Sequence, residues 1–217
     1  MNTLDSRFIR LGNCFAHRFS ARGTFAYALS PIPSSLAAHH GEAPDRAVIV
    51  AAGHGEQQRQ HHINVSVADG ELTAKPAELH VAAGDLVVWS ADRSVTFGFR
   101  VRGRIGEEVI DSAFLRTESI FTHAFGLPGS YEWADANGSS LRGQVRVAMA
   151  DTAAGHEEWL GRLEQGTLIH VRGDRAEPEA VDIVVGQTVV WAVQDAPGVS
   201  ITDTSLIAAP PATAQAG

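Results

Sequence analysis

Histidines are the residues of this chain whose number and spacing could support metal or proton chemistry. The chain has ten histidines, and five of them fall close together in the sequence, at His39, His40, His54, His61 and His62. Imidazole is a good ligand for copper, nickel and zinc. Adjacent histidines on a loop are not held in place for a metal, however. The cluster is therefore either a histidine-based metal site or a polar linker with incidental metal affinity.

Two further histidines occupy the same place in a repeated F-x-H-x-F pattern. They are His17 and His123. Alternate residues of a strand share one face, so each histidine is expected beside its flanking phenylalanines. A core histidine bonded to a carbonyl is the ordinary interpretation, because one histidine offers too few ligands for a metal. A paired metal or proton site near a two-fold axis is the alternative.

Other kinds of chemistry are poorly represented. Cys14 is the one cysteine, which excludes an intrachain disulfide and a cysteine-based zinc site. We interpret it as a small, half-buried hydrophobic residue. The sequence has no nucleophile elbow, phosphate-binding loop or dinucleotide fingerprint.

Charge and composition limit the partners. The net charge is −8, which argues against nucleic acid or an anionic membrane as the main partner. No stretch approaches the roughly 18 consecutive apolar residues of a membrane span. The opening sequence MNTLDSRFIRLGNC lacks the apolar region of a secretory signal, so we expect a cytoplasmic location.

Strand and turn patterns dominate residues 62–149. Short alternating runs separated by glycine and proline turns are typical of an antiparallel sandwich. Three pieces occur in order: AAGDLVVW at 82–89, FGLPGSYEW at 125–133 and GQVRV at 143–147. Together they resemble the cupredoxin family, the fold of the blue-copper proteins. Members of that family also occur outside the cytoplasm, so the resemblance makes a periplasmic or extracellular location the alternative.

The resemblance also implies where type 1 copper ligands would stand, and other residues occupy those places. The two histidine positions fall at Phe97 and Gly138, the cysteine position at Asp135 and the methionine position at Leu141. In the other repeat the first histidine position falls at Val199 and the cysteine position at Leu29. A blue-copper centre needs two imidazoles and a thiolate. We therefore expect no cofactor, with copper bound by histidines as the alternative.

The chain carries an internal repeat in an unusual order. VDIVVGQTVVWAVQD (181–195) matches LHVAAGDLVVWSADR (79–93), and DSRFIRLGNCFAHRF (5–19) matches DSAFLRTESIFTHAF (111–125). Half a sandwich leaves strand edges unpaired. We therefore predict an all-β fold of two cupredoxin-like Greek-key β-sandwiches related by circular permutation.

The predicted domains follow from that order. Residues 1–52 plus 165–217 form a discontinuous domain, residues 60–150 form the second domain, and 151–164 form a short helical connector. Exchange of the terminal pieces between two chains is the alternative.

These features favour a non-catalytic protein used for assembly or for binding a protein partner, with a homo-oligomer as one form of it. The alternative is a histidine-based metal-binding protein that uses His17, His39, His40, His61, His62 or His123. An enzyme with a site between the domains is the least favoured interpretation, because multidomain cupredoxin oxidases rely on H-x-H pairs and this sequence has none.

Overall fold

The structure of this chain is a computed structural model, and it describes residues 3–32, 44–53, 58–149 and 156–207. Strands dominate these residues, which confirms the all-β prediction. The strands are β1 (Asn13–Arg18), β2 (Gly23–Ile32), β3 (Arg46–Ala51), β4 (Gln60–Ala68), β5 (Glu71–Lys75), β6 (Glu78–Ala82), β7 (Leu86–Ala91), β8 (Gly98–Ile105), β9 (Glu108–Asp111), β10 (Ser119–Ala124), β11 (Gly129–Asp135), β12 (Arg142–Ala148), β13 (Thr167–Arg172), β14 (Arg175–Glu177), β15 (Ala180–Val184), β16 (Thr188–Asp195) and β17 (Ile201–Asp203). One α-helix, α1 (His156–Glu164), and a 3-10 helix, Thr204–Leu206, are the helical elements of the described residues.

The strands form three sheets. One long sheet has the order β14-β13-β16-β10-β1-β7-β4-β5. Its β5 end is covered by the sheet β6-β3-β2-β8-β9 and its β14 end by the sheet β15-β12-β11-β17. Aromatic contacts mark both interfaces, with Tyr27 of β2 packed edge-on to Trp89 of β7, and Trp133 of β11 packed edge-on to Trp191 of β16. The result is two sandwiches that share one continuous sheet.

The strand pairing corrects the predicted domain ranges. Strand β1 pairs with β7, with Phe15 opposite Trp89, whereas we predicted that 1–52 would combine with 165–217. Strand β10 pairs with β16, with Phe121 opposite Trp191, whereas 60–150 was predicted to stand alone. The piece that contains β1 is therefore completed by the piece that contains β7, and the piece that contains β10 is completed by the piece that contains β16. In both cases the completing piece is the next one along the chain. The two candidate completing pieces share the same strand–glycine turn–strand pattern, and the closer one costs less loop-closure entropy.

A central antiparallel pair, β1 with β10, joins the two sandwiches. Phe15 lies opposite Phe121, and the register runs symmetrically outward to the pairs Asn13–His123 and His17–Ser119. Phe15 and Phe121 are equivalent positions of the sequence repeat. The sequence repeat and the pairing therefore share one two-fold centre.

The segment before each of these strands reaches across to the other sandwich. The Ser6 N–H donates to the Ile201 carbonyl and the Ile201 N–H donates to the Ser6 hydroxyl, both at 2.8 Å. Ser112, the equivalent residue, makes the same two bonds with Val101 at 2.9 and 3.0 Å. The two segments are thus exchanged reciprocally between the sandwiches.

Equivalent glycine turns precede the two tryptophan strands. Gly84 and Gly186 have φ angles of +100° and +92°, in the left-handed region that favours glycine. After each glycine, a polar side chain caps the turn: Asp85 accepts from the Ala82 N–H and Gln187 accepts from the Val184 N–H. The glycine and the polar residue after it recur in the sequence because the backbone of each turn requires them.

Helix α1 lies within the predicted connector. It packs against the second sandwich, where the Trp159 indole donates to the Val185 carbonyl at 3.4 Å. The remainder of the predicted connector, residues 151–155, lies outside the described residues.

Loss of either exchanged serine hydroxyl should destabilise the whole fold. Ser6→Ala and Ser112→Ala leave the buried N–H groups of Ile201 and Val101 without an acceptor, which costs about 1–3 kcal/mol each. Urea unfolding is the measurement. Ser130→Ala, which removes an exposed hydroxyl bonded to Gln144, is the matched control and should change stability by less than about 0.5 kcal/mol. Equal effects of the three substitutions would contradict the exchange.

Candidate functional site

The positions at which the cupredoxin resemblance would place type 1 copper ligands hold residues with structural roles in this protein. Leu141 is fully buried in the core and Phe97 packs against the core. Gly138 takes a positive φ of 90° in the turn between β11 and β12. At the equivalent positions of the other repeat, Val199 is buried and Leu29 is half-buried.

Asp135, at the cysteine position, is the most polar of these residues and it too has a structural role. It is buried and accepts backbone N–H bonds from Ser200 at 2.8 Å, Asn137 at 3.0 Å and Ser139 at 3.3 Å. These donors satisfy its carboxylate and hold the β11–β12 turn against the chain before β17. The arrangement stabilises a turn rather than presenting a ligand.

His61 and His62 are adjacent on β4 and have different partners. The His61 ring lies 2.9 Å from Asp85, and His62 lies 2.9 Å from the Gln60 amide. Consecutive residues of a strand point to opposite faces, so these two rings cannot share one metal ion. Although burial raises the pKa of Asp85, bonds from the Ala82 and Arg59 N–H groups and from His61 bring it below its ordinary value.

The other histidines of the sequence cluster give no site in the described part of the chain. His39, His40 and His54 lie outside the described residues. Among the residues that the structure describes, there is no group of three His, Cys, Asp or Glu side chains that could hold a metal ion.

His17 and His123 are both buried on the inner face of the central pair, but they lie apart. His17 is opposite Ser119, and His123 is four residues further along β10. At roughly 3.4 Å per residue this separates the two rings by about 14 Å. The structure therefore does not bring them together in the paired site considered from the sequence.

The two histidines also differ in hydrogen bonding. The His17 ring contacts the Ser119 hydroxyl at 3.4 Å. The residue opposite His123 is Asn13, whose side chain instead accepts from the Arg10 N–H at 2.8 Å. Neither ring nitrogen of His123 has a hydrogen-bond partner among the described residues, and the same holds for the Arg10 Nε.

These surroundings keep both rings neutral. Burial lowers the pKa of His17 to about 4. Burial, with a smaller effect of the Arg10 charge, also lowers the pKa of His123 to about 4. The rings pack edge-on against Phe19 and Phe125, at centroid distances of 5.1 and 4.7 Å. Each histidine is therefore an aromatic core residue at physiological pH.

Acid should weaken the fold through these two rings. Above an ordinary pKa of about 6.5 both rings are neutral whether the chain is folded or unfolded. As the pH falls from about 6.5 to 4, the unfolded chain binds protons that the folded chain excludes. Each histidine then removes about 3 kcal/mol of unfolding free energy.

His123→Phe tests this directly. At pH 7 the variant should be as stable as the wild type or more so, because it replaces a buried ring without hydrogen bonds by an apolar one. The loss of stability between pH 6.5 and 4 should shrink by about 3 kcal/mol. Urea unfolding across this range measures both. Unchanged pH dependence, or a loss above about 1 kcal/mol at pH 7, would contradict the assignment.

The outer face of the long sheet carries an apolar patch. The residues that point away from the core form two rows across six strands. One row is Leu168, Val190, Thr122, Cys14, Ser90 and Asn64, and the next is His170, Ala192, Ile120, Ala16, Val88 and His62. We call seven of these residues the outer patch: Leu168, Val190, Cys14, Ala192, Ile120, Ala16 and Val88.

The outer patch departs from the usual pattern of a sandwich. The solvent face of an antiparallel sheet is normally polar, yet the two rows contain no charged carboxylate, lysine or arginine. Leu168 is 44% exposed. Cys14 is half-buried, and burial raises the pKa of its thiol. Sequence reasoning missed this patch because outward and inward residues of β1, β10 and β16 are both apolar.

Comparison with known proteins identifies no relative. No family model, curated protein or solved structure matches the chain. In the described residues, no helix has the length and apolar character needed to cross a membrane.

Proposed function

We propose that this chain is a non-catalytic, cupredoxin-like assembly protein that pairs with a second copy of itself through the outer patch. The observation that carries the proposal is the uncharged outer face at the centre of the long sheet. The absence of type 1 ligands at Phe97, Asp135, Gly138 and Leu141 supports a role without a blue-copper centre.

The size of the face supports a protein partner. Eight strands at about 4.8 Å spacing and about six residues in length give a face of roughly 700 Å². A standard protein interface takes about 800 Å² from each partner. The outer patch alone spans five strands, or about 19 Å. A sheet pressed face to face against another sheet covers such an area at about 10 Å separation.

The symmetry of the patch supports a second copy as that partner. Val88 and Val190, which are equivalent in the sequence repeat, lie on either side of the central pair, and the equivalent residues Cys14 and Ile120 lie within it. The outer patch is therefore partly similar to itself after a half-turn. An uncharged patch also needs a partner patch without charge, which an identical chain provides. Two-fold dimers are the commonest closed assemblies.

Light scattering after size exclusion tests the proposal. The wild type at about 0.1 mM should have twice the chain mass of 23.1 kDa. Leu168→Asp, alone and with Ile120→Asp, should weaken the dimer at least about 100-fold by burying an unpaired charge.

Leu127→Asp is the matched control, because Leu127 is also exposed, at 59%, and lies in the loop between β10 and β11. It should leave the dimer intact. A wild type that is monomeric at that concentration, or a control that dissociates as far as Leu168→Asp, would contradict self-assembly through this face.

A further inference from the structure

A shallow groove lies on the other side of the molecule, on the outer face of the sheet β6-β3-β2-β8-β9. Its volume is about 310 Å³. The lining residues are Ala26, Ala28, Ser30, Pro44, Arg102, Gly103, Arg104 and Val109. We call this the arginine groove. It is separate from the outer patch, which belongs to the long sheet.

The groove is bordered by a row of arginines. Arg100, Arg102 and Arg104 occupy alternate positions along β8, while Phe99, Val101 and Ile105 of the same strand are buried. Across the strand pair they stand opposite Ser30, Ala28 and Ala26 of β2. The side chains of these three residues are too short to reach the guanidinium groups. They therefore leave a space beside the arginines and form the floor of the groove.

The positive charges exceed their carboxylate partners. Asp111 binds Arg100 through both carboxylate oxygens, and Arg100 also stacks over Phe114. Arg102 lies 3.6 Å from the same carboxylate, and its side chain is 53% exposed. Arg104 is exposed and has no hydrogen-bond or ion-pair partner among the described residues. The Asp111 carboxylate is therefore the one negative charge found beside the three arginines of this row in the described residues.

Such a row is unfavourable without a counter-charge. Like charges on neighbouring positions of a sheet face repel one another. The rest of the chain is acidic, with a net charge of −8, so the excess of cations is local to this face. A guanidinium group binds carboxylate or phosphate through two parallel N–H bonds. Arg102 and Arg104, two residues apart on one strand, present two such groups about 7 Å apart.

We propose that the arginine groove binds a small anion that carries two oxyanion groups, one for Arg102 and one for Arg104. A volume near 310 Å³ is at the lower end of the range for small-molecule sites. The small residues of β2 let the body of the ligand lie against the sheet. The shared chemistry is a pair of oxyanions, supplied either by phosphoryl groups or by carboxylates.

Isothermal titration calorimetry with pyrophosphate, succinate and inorganic phosphate tests the proposal. Pyrophosphate or succinate should bind saturably with one site per chain, at least about tenfold more tightly than inorganic phosphate, which offers a single group. Which of the two binds more tightly identifies the source of the oxyanions. Arg104→Gln and Arg102→Gln should each weaken that binding at least about tenfold.

Two controls separate a built groove from general charge. Arg146→Gln removes an equally charged side chain paired with Asp182 on another sheet and should leave the affinity unchanged. Ala28→Leu keeps every charge but fills the floor, and should weaken binding. The proposal is overturned if neither pyrophosphate nor succinate binds saturably, if Arg104→Gln binds as well as the wild type, or if Arg146→Gln weakens binding equally.

Discussion

The antiparallel pairing of β1 with β10 holds the two sandwiches in one sheet. Both strands lie in the middle of that sheet, so every inward residue they carry is covered by the core. Phe15 and Phe121 face each other at the centre, and each packs against the tryptophan of the next strand, Trp89 or Trp191. The exchanged bonds of Ser6 and Ser112 reinforce this junction from its two sides. If the pairing were lost, each sandwich would expose an unprotected central edge.

Much of the fold could be predicted from local sequence signals. Glycines at Gly84 and Gly186, the alternation around Trp89 and Trp191, and the Pro-Gly turn before β11 all mark elements that the structure contains. The pairing between distant pieces could not be predicted, because the two repeats have the same pattern and either could complete the other. The loop-closure entropy of the connecting segments decides between the two pairings. No single residue of the sequence indicates that entropy. The same distinction between local signals and distant contacts holds for the candidate site residues. The sequence alone shows that Asp135 is a carboxylate where the resemblance would place a thiolate. The lack of a hydrogen-bond partner for the His123 ring among the described residues, by contrast, depends on Asn13 turning toward Arg10.

The two outer faces differ in chemistry. On the long sheet, aliphatic residues such as Leu168, Ile120 and Val190 point outward and are at least partly exposed, which suits contact with a flat apolar surface. On the sheet β6-β3-β2-β8-β9, Arg102 and Arg104 stand beside Ala26 and Ala28, which suits a compact anion. Neither face needs the positions where a cupredoxin would hold copper. In this chain, the positions that the resemblance assigns to copper ligands hold residues that pack or cap turns, and the proposed binding is left to the two surfaces.

Disulfide trapping with the native Cys14 tests the central pairing most directly. Thr122 lies opposite Cys14, so in Thr122→Cys the two thiols fall within the distance that a disulfide spans. Ala192 lies on the far side of β10, about 12 Å from Cys14, so Ala192→Cys provides the comparison. Under mild oxidation at high dilution, the account predicts an intrachain disulfide in the Thr122 variant and free thiols in the Ala192 variant. A disulfide in the Ala192 variant with free thiols in the Thr122 variant would contradict it, because β1 would then lie beside β16.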